Sequence, residues 1–335
     1  MELLVLPGGA VRSVLSYPRC AEAMRAALTA RARGEVFQPL RSILKPEGAA
    51  GLMGLMPSYQ AGIGYGLKAI NVTPGNPAVG LDTHQGVVLL SDQVTGQPLA
   101  VLNASVVTEI RTAAVSAVAT EQLVVRGADV LAIVGTGVQA RSHLMAIAST
   151  LPLAEVRIAG SAPAKAAKFA ADIAPAALAE VGAAARVTAC DSARAAVEGA
   201  HIVVTATSSV TPVLEHEWLA PGTHINAVGA CLPHTRELDT LTVAGAALFA
   251  DSRDSVLAES GDYLLAAAEG AIGPDHIRAE IGDLLAGTAP GHGRRSASEI
   301  TIFESLGLAI EDLAAAMAAY QAARESGAGN WIEFD

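Results

Sequence analysis

Over the first 110 residues, short runs of apolar positions such as "GVVLLSD" and "LAVLNA" are separated by Gly, Pro and Asn clusters such as "TPGNPAVG". Runs of that length between turn residues predict strands, and one stretch at about 18–33 predicts a helix, so this part reads as α+β. From "TEIRTAAVSAVATEQLV" onward the pattern changes. Helical stretches now alternate with short β-branched runs at 130–134, 155–159, 202–207, 224–228 and 247–251, the signature of a parallel, doubly wound sheet. A Gly/Pro-rich break at 286–293 precedes "TIFESLGLAIEDLAAAMAAYQAARESG", which predicts one long C-terminal helix packing back on the first half. No internal repeat or low-complexity tract interrupts this order.

Composition narrows the picture. A chain of 335 residues, 51% hydrophobic and 16% charged, is long enough for two domains and buries a sizeable core without staples. The net charge of −11 leaves no basic stripe for a phosphate backbone, which excludes nucleic acid as a partner. Cys20, Cys190 and Cys231 are odd in number, widely spaced and never C-x-x-C, which argues against a disulfide framework and a zinc site, and for a reducing compartment. In "MELLVLPGG", Glu2 stands where a signal peptide would be basic, and Pro7 ends the apolar run early. No stretch approaches the roughly 20 apolar residues of a membrane span. The expectation is a cytoplasmic protein with no membrane partner.

"VLAIVGTGVQAR" sets Gly135, Gly137 and Ala140 as G-x-G-x-x-A between a strand and a helix. Gly135 permits the tight turn, Gly137 lets the backbone approach a pyrophosphate, and Ala140 lets helix and strand close up, while amides at the helix start face the phosphates. With the strand and helix around it and the β/α alternation behind it, the loop predicts dinucleotide binding. An acid that would accept hydrogen bonds from the ribose 2′-hydroxyl of NAD is expected at the end of the next strand. In "EVRIAGSAPAKAAK" that place is taken by Gly160 and Ser161, with Lys165 and Arg141 as nearby donors. The expected cofactor is therefore NADPH, with NADH as the alternative.

Four polar residues of the first half stand out: Arg41 in "PLRSIL", Lys68 in "GYGLKAINV", Thr83 in "GLDTHQGVVLL" and Arg111 in "TEIRTAA". Singly each has a bland explanation, since a lone Lys in a strand ordinarily faces solvent. Together with "LMPSY", "GLKAINVTPGNP", "RTAAVSAVAT", "GTGVQAR", "PGTHINAVGA" and "ITIFESLGLAIEDLAAA", they resemble the ornithine cyclodeaminase/mu-crystallin family along nearly the whole chain. The resemblance implies a homodimer in which residues 1–115 and 300–335 form an α+β substrate-binding and dimerisation domain around a Rossmann domain at 116–299. It further implies that Arg41, Lys68 and Arg111 hold the substrate, with Arg111 also near the cofactor. The remaining implied cofactor contacts are Thr83, Val138, Gln139, Thr207, Ile225, Asn226, Ala227, Val228 and Ser305, beside Gly135, Gly137 and Ser161 of the loop and strand end. Chemically, a planar Arg fork suits the carboxylate of an α-imino acid and fixes its α-carbon for attack. His84 and His234 read as satisfied loop or core histidines rather than general acids.

The position of Cys231 separates the activities in this family. By the resemblance, ornithine cyclodeaminases carry Asp there and Glu at the position of Gly54, and both carboxylates are missing. A thiol of reference pKa about 8.5 is a poor proton acceptor beside a carboxylate of about 3.9. Reducing a cyclic imine needs less: a clamp on the carboxylate, a proton source and an oriented hydride donor. Lys68 is the candidate proton relay, and Cys231 is expected to shape the pocket floor. The reading is an NAD(P)H-dependent reductase of 1-pyrroline-2-carboxylate and of its six-membered homologue. Ornithine cyclodeaminase, alanine dehydrogenase and a non-catalytic NADPH-binding protein are the alternatives.

Overall fold

The computed structural model describes residues 2–334. In chain order its strands are β1 (Glu2–Leu6), β2 (Val36–Phe37), β3 (Ser42–Leu44), β4 (Leu52–Gln60), β5 (Gly64–Val72) and β6 (His84–Ser91). There follow β7 (Pro98–Asn103), β8 (Val130–Val134), β9 (Glu155–Ala159), β10 (Arg186–Ala189) and β11 (Ile202–Thr205). The last are β12 (His224–Ala227), β13 (Ala247–Ala250), β14 (Ile277–Glu280), β15 (Thr301–Glu304) and β16 (Asn330–Glu333). The chain divides into two compact units, one running to Arg111 and resuming at Gly307, the other Thr112–Leu306.

The first unit is built on a sheet of order β16-β1-β7-β6-β5-β4-β2, with β3 pairing β4. Its centre is the antiparallel meander β4-β5-β6. Side chains alternate across these strands. Met56, Ser58, Lys68, Ile70, Val88 and Leu90 are buried on the face that packs on the helix Ala309–Ser326. The approach is close: a Cβ on Gly66 would meet Leu313 at 3.0 Å, and Ser58 Oγ donates to Ala309 O at 3.0 Å. On the other face, cross-strand rows Leu55–Ala69–Val87 and Pro57–Leu67–Leu89 and the pair Tyr59–Tyr65 form a partly exposed apolar surface.

The predicted helix near 18–33 is found at Tyr17–Ala32, opened by Ser16, whose side chain accepts the Arg19 N–H. A second short helix, Gly8–Val14, was not expected from its Gly-Gly start, and it forms where burial of Val11 and Val14 outweighs weak helix propensity.

The second unit carries an all-parallel sheet of order β10-β9-β8-β11-β12-β15-β13-β14. The chain moves outward from β8 through β9 to β10 and then returns to the other side of β8 as β11, which makes the β8/β11 junction the topological switch point. One expectation is corrected. "TIFE" is not the first turn of the C-terminal helix but β15, inserted between β12 and β13, and the helix begins only at Ala309. Thr301, Ile302 and Phe303 are buried on both faces, and such a run has no alternation to betray a strand. No helix among the described residues is long and apolar enough to cross a membrane.

Candidate functional site

In the first unit, β5 places Lys68 on the buried face of the meander between Met56 and Val88, only 3% exposed. Burial of an ammonium is costly unless it is paired. The partner is Asp312, on the helix that covers this face, with Oδ2 at 2.8 Å from Lys68 Nζ. Asp312 Oδ1 also accepts Arg111 Nε at 3.0 Å, and Arg111 Nη1 reaches Glu311 Oε2 at 2.8 Å. Thr108 Oγ1 lies 3.4 Å from Lys68 Nζ. Arg41 donates to the carbonyl of Gly307 at 2.9 Å, and a Cβ on Gly307 would overlap the Arg111 guanidinium, so this glycine lets the helix entry close on the cluster.

Lys68 and Arg111 thus share Asp312, and Arg111 also meets Glu311. Burial, then the charge of Arg111, lowers Lys68 to about 8, with Asp312 opposing. Burial and the charges of Lys68 and Arg111 lower His84. Sequence reading had found the three cations and missed both acids. The signal was present as adjacent acids in "AIEDLAAA", where an otherwise apolar helix carries two carboxylates at its first turn. Thr83 also lies in this unit, its carbonyl accepting the Thr73 N–H at 2.9 Å.

In the second unit, β8 delivers the glycine loop to the switch point. Gly135 has φ of 135° and a Cβ there would overlap the Ala206 carbonyl, so the turn demands glycine. A Cβ on Gly137 would meet nothing within 4 Å, so the backbone faces open space. Gly137 also caps the helix Val138–Ala148 with no side-chain acceptor for its first amides, and Gln139 Oε1 is buried without a hydrogen-bond partner among the described residues. Unfilled space and uncapped amides together fit the pyrophosphate of a dinucleotide.

Ser161 stands exposed just beyond β9 and accepts Lys165 Nζ at 3.2 Å, so the two predicted donors form one polar pair with no acid between them. Arg141 is instead bound to Glu180 at 2.5 Å. Thr207 follows β11, and its N–H donates to Glu237. Ile225 and Ala227 are fully committed to the core, and Asn226 donates to Thr120 Oγ1 at 2.9 Å, so of the stretch 225–228 only Val228 stands beyond the strand. Ser305 Oγ is buried with no hydrogen-bond partner among the described residues. Cys231 donates its S–H to Val228 O at 3.2 Å and Ser305 O at 3.8 Å, joining two strand ends. Among the described residues no cluster of His, Cys, Asp and Glu could hold a metal.

A glycine turn at the switch point of a doubly wound parallel sheet defines a Rossmann-type dinucleotide-binding α/β protein. The chain belongs to the ornithine cyclodeaminase/mu-crystallin family, which it matches over residues 2–327. It is 39% identical over 288 residues to the ketimine reductase mu-crystallin of Mus musculus, covering 86% of this chain and 85% of that one. Among solved structures it resembles the Δ1-pyrroline-2-carboxylate reductase of Thermococcus litoralis in complex with NADH and L-proline, at 35% identity and a TM-score of 0.92, covering 98% of this chain and 99% of that one. It is also similar, at 34% identity, a TM-score of 0.90 and full coverage of both chains, to an archaeal alanine dehydrogenase dimer with bound NAD.

Proposed function

We propose that the protein is an NAD(P)H-dependent reductase that converts cyclic α-imino acids, 1-pyrroline-2-carboxylate and its six-membered homologue, to proline and pipecolate. The observation that carries this reading is the buried cluster around Asp312, which holds Lys68 and Arg111 on one carboxylate at 2.8 and 3.0 Å, with Arg41 at the neighbouring Gly307 carbonyl. The likeness to the mouse ketimine reductase and to the Thermococcus litoralis pyrroline-carboxylate reductase supports the same chemistry.

In this reading Arg41 and Arg111 hold the substrate carboxylate. Asp312 keeps Arg111 and Lys68 at fixed spacing, and the clamp orients the imine carbon. Lys68, lowered to about 8, still carries its proton near neutrality and donates it from Nζ to the imine nitrogen. Gly135, Gly137, Val138 and Gln139 would hold the phosphates of a dinucleotide, whose chemistry there would be hydride donation, and Ser161 with Lys165 would receive a ribose 2′-phosphate, which favours NADPH over NADH. Thr207, Val228 and Ser305 complete the contacts within the second unit. Cys231 supplies no carboxylate to take a proton from ammonium. With Gly54 in place of a second carboxylate, ring closure of ornithine lacks its acids.

The outer face of β4-β5-β6 is assigned to a second copy of this chain. Its apolar cross-strand rows are partly exposed, as a self-complementary dimer surface requires, and the similar alanine dehydrogenase is a dimer. The deciding assay follows loss of reduced-nicotinamide absorbance with 1-pyrroline-2-carboxylate, run with each dinucleotide. Parallel reactions measure ammonia released from ornithine with NAD, and alanine formed from pyruvate and ammonia. Turnover of the imine alone is expected; ammonia from ornithine would overturn the reading.

A further inference from the structure

Outside the glycine loop, one carboxylate joins two segments at the ends of the central strands of the second unit. Glu237 is fully buried; its Oε1 accepts the N–H of Thr207 at 2.6 Å and its Oε2 the N–H of Gly229 at 2.7 Å. Thr207 lies just beyond β11 and Gly229 just beyond β12, adjacent strands at the centre of the sheet, and β11 also pairs with β8, which ends in the glycine loop. Gly229 is itself constrained: a Cβ there would overlap the Thr207 carbonyl and lie 2.6 Å from the Glu237 carboxyl. The two segments therefore close around one side chain.

Glu237 is held in turn. Asp262 Oδ1 accepts the N–H of Glu237 and of Leu238, each at 2.8 Å. Ser260 caps the following helix, accepting the Tyr263 N–H at 3.1 Å, and donates to Glu304 Oε2, also at 3.1 Å, at the end of β15. Burial pushes the Glu237 carboxyl up, and hydrogen bonds from Thr207, Gly229 and Thr205 oppose it. A buried carboxylate held by amides rather than by a cation is a costly way to fill space, and an apolar residue of similar volume would pack at least as well. Its use at these strand ends has a geometric reason, since one carboxylate accepts two converging N–H groups at once.

We propose that Glu237 is a positioning residue of the dinucleotide site, setting the spacing of the Thr207 and Gly229 segments by accepting both of their amides. The inference rests on the reading of the second unit as the NAD(P)H-binding unit. Glu237→Gln preserves size, but its Nε2 can only donate, so one of the two amides faces another donor and its segment is released. In steady-state kinetics the variant is expected to raise the KM for the dinucleotide about tenfold or more, while the KM for the imino acid stays within about twofold.

A purely structural role lowers the melting temperature and the active fraction but leaves the dinucleotide KM of the folded enzyme at the wild-type value, and that result overturns the proposal. Gly229→Ala presses on the same carboxylate and the same carbonyl, so it carries the same expectation should Glu237→Gln not fold. Direct titration with NAD(P)H, read by the cofactor's fluorescence, separates the two levels. Wild-type protein that binds no dinucleotide overturns the reading of the unit and the inference together, whereas wild-type binding with an unchanged Kd in the variant overturns the inference alone.

Discussion

The first unit buries Lys68 and Arg111 against Glu311 and Asp312, whereas the second buries four carboxyl groups, Glu237, Asp251, Asp262 and Glu304. Both groups of side chains face the same desolvation cost, and they meet it differently. In the first, opposite charges pair directly. In the second, the carboxyls lean on backbone amides and hydroxyls, and they raise one another: Asp262 is pushed up to about 7 and Glu304 well above the usual range, chiefly by burial. Direct pairing of opposite charges and carboxyls held by amides are two answers to one desolvation cost.

The comparison breaks most visibly at Arg111. Arg111→Met leaves Glu311 and Asp312 without their shared cation, so a loss of about 3–5 kcal/mol in unfolding free energy, measured by denaturant titration, accompanies loss of turnover. Next comes Lys68→Met, which removes the proton source and is expected to lower kcat about a hundredfold or more while the fold persists. In the wild type, the protonated Nζ is the active form, so kcat/KM falls as pH rises through about 8. Lys68→Met should lose that alkaline limb, and a retained limb would assign it to another group.

Asp312→Asn sharpens the comparison further. Asp312 favours the charged form of Lys68, so its removal moves the alkaline limb of the pH profile to lower pH, and an unmoved limb would contradict the coupling. The smallest effect belongs to the acidic cluster. Because Asp262 has a raised pKa in the folded state, the folded chain binds more protons than the unfolded one between about pH 4 and 7. Its contribution to stability is thus complete below that window and lost as pH rises through about 7. Asp262→Asn keeps the Oδ1 acceptor for both amides, and its melting temperature is expected to depend less steeply on pH across the window than that of the wild type.

Much of the second unit was legible from local pattern. A parallel sheet buried on both faces repeats short β-branched runs between helices, and the glycine loop announces its own turn, since only glycine fits the φ of Gly135 beside the Ala206 carbonyl. Where such a run follows a loop and precedes a real helix, as "TIFE" does before Ala309, periodicity alone cannot separate strand from helix, and position in the sheet settles it. The cation set of the first unit was found through resemblance rather than spacing. Its partners Glu311 and Asp312 went unread because acids in the first turn of a helix ordinarily complement the helix dipole at the surface.

Family, fold class and the dinucleotide turn are properties of short segments, and the order of residues along the chain was enough to determine them. Which face of β5 is buried, and hence whether Lys68 meets solvent or Asp312, depends on where the helix Ala309–Ser326 lands on the meander, more than 200 residues away from Lys68 in sequence. The same holds for Glu237, whose two amide donors come from separate strand ends. Charge balance and hydrogen-bond satisfaction are sums over neighbours in space, and only the tertiary structure decides which neighbours those are.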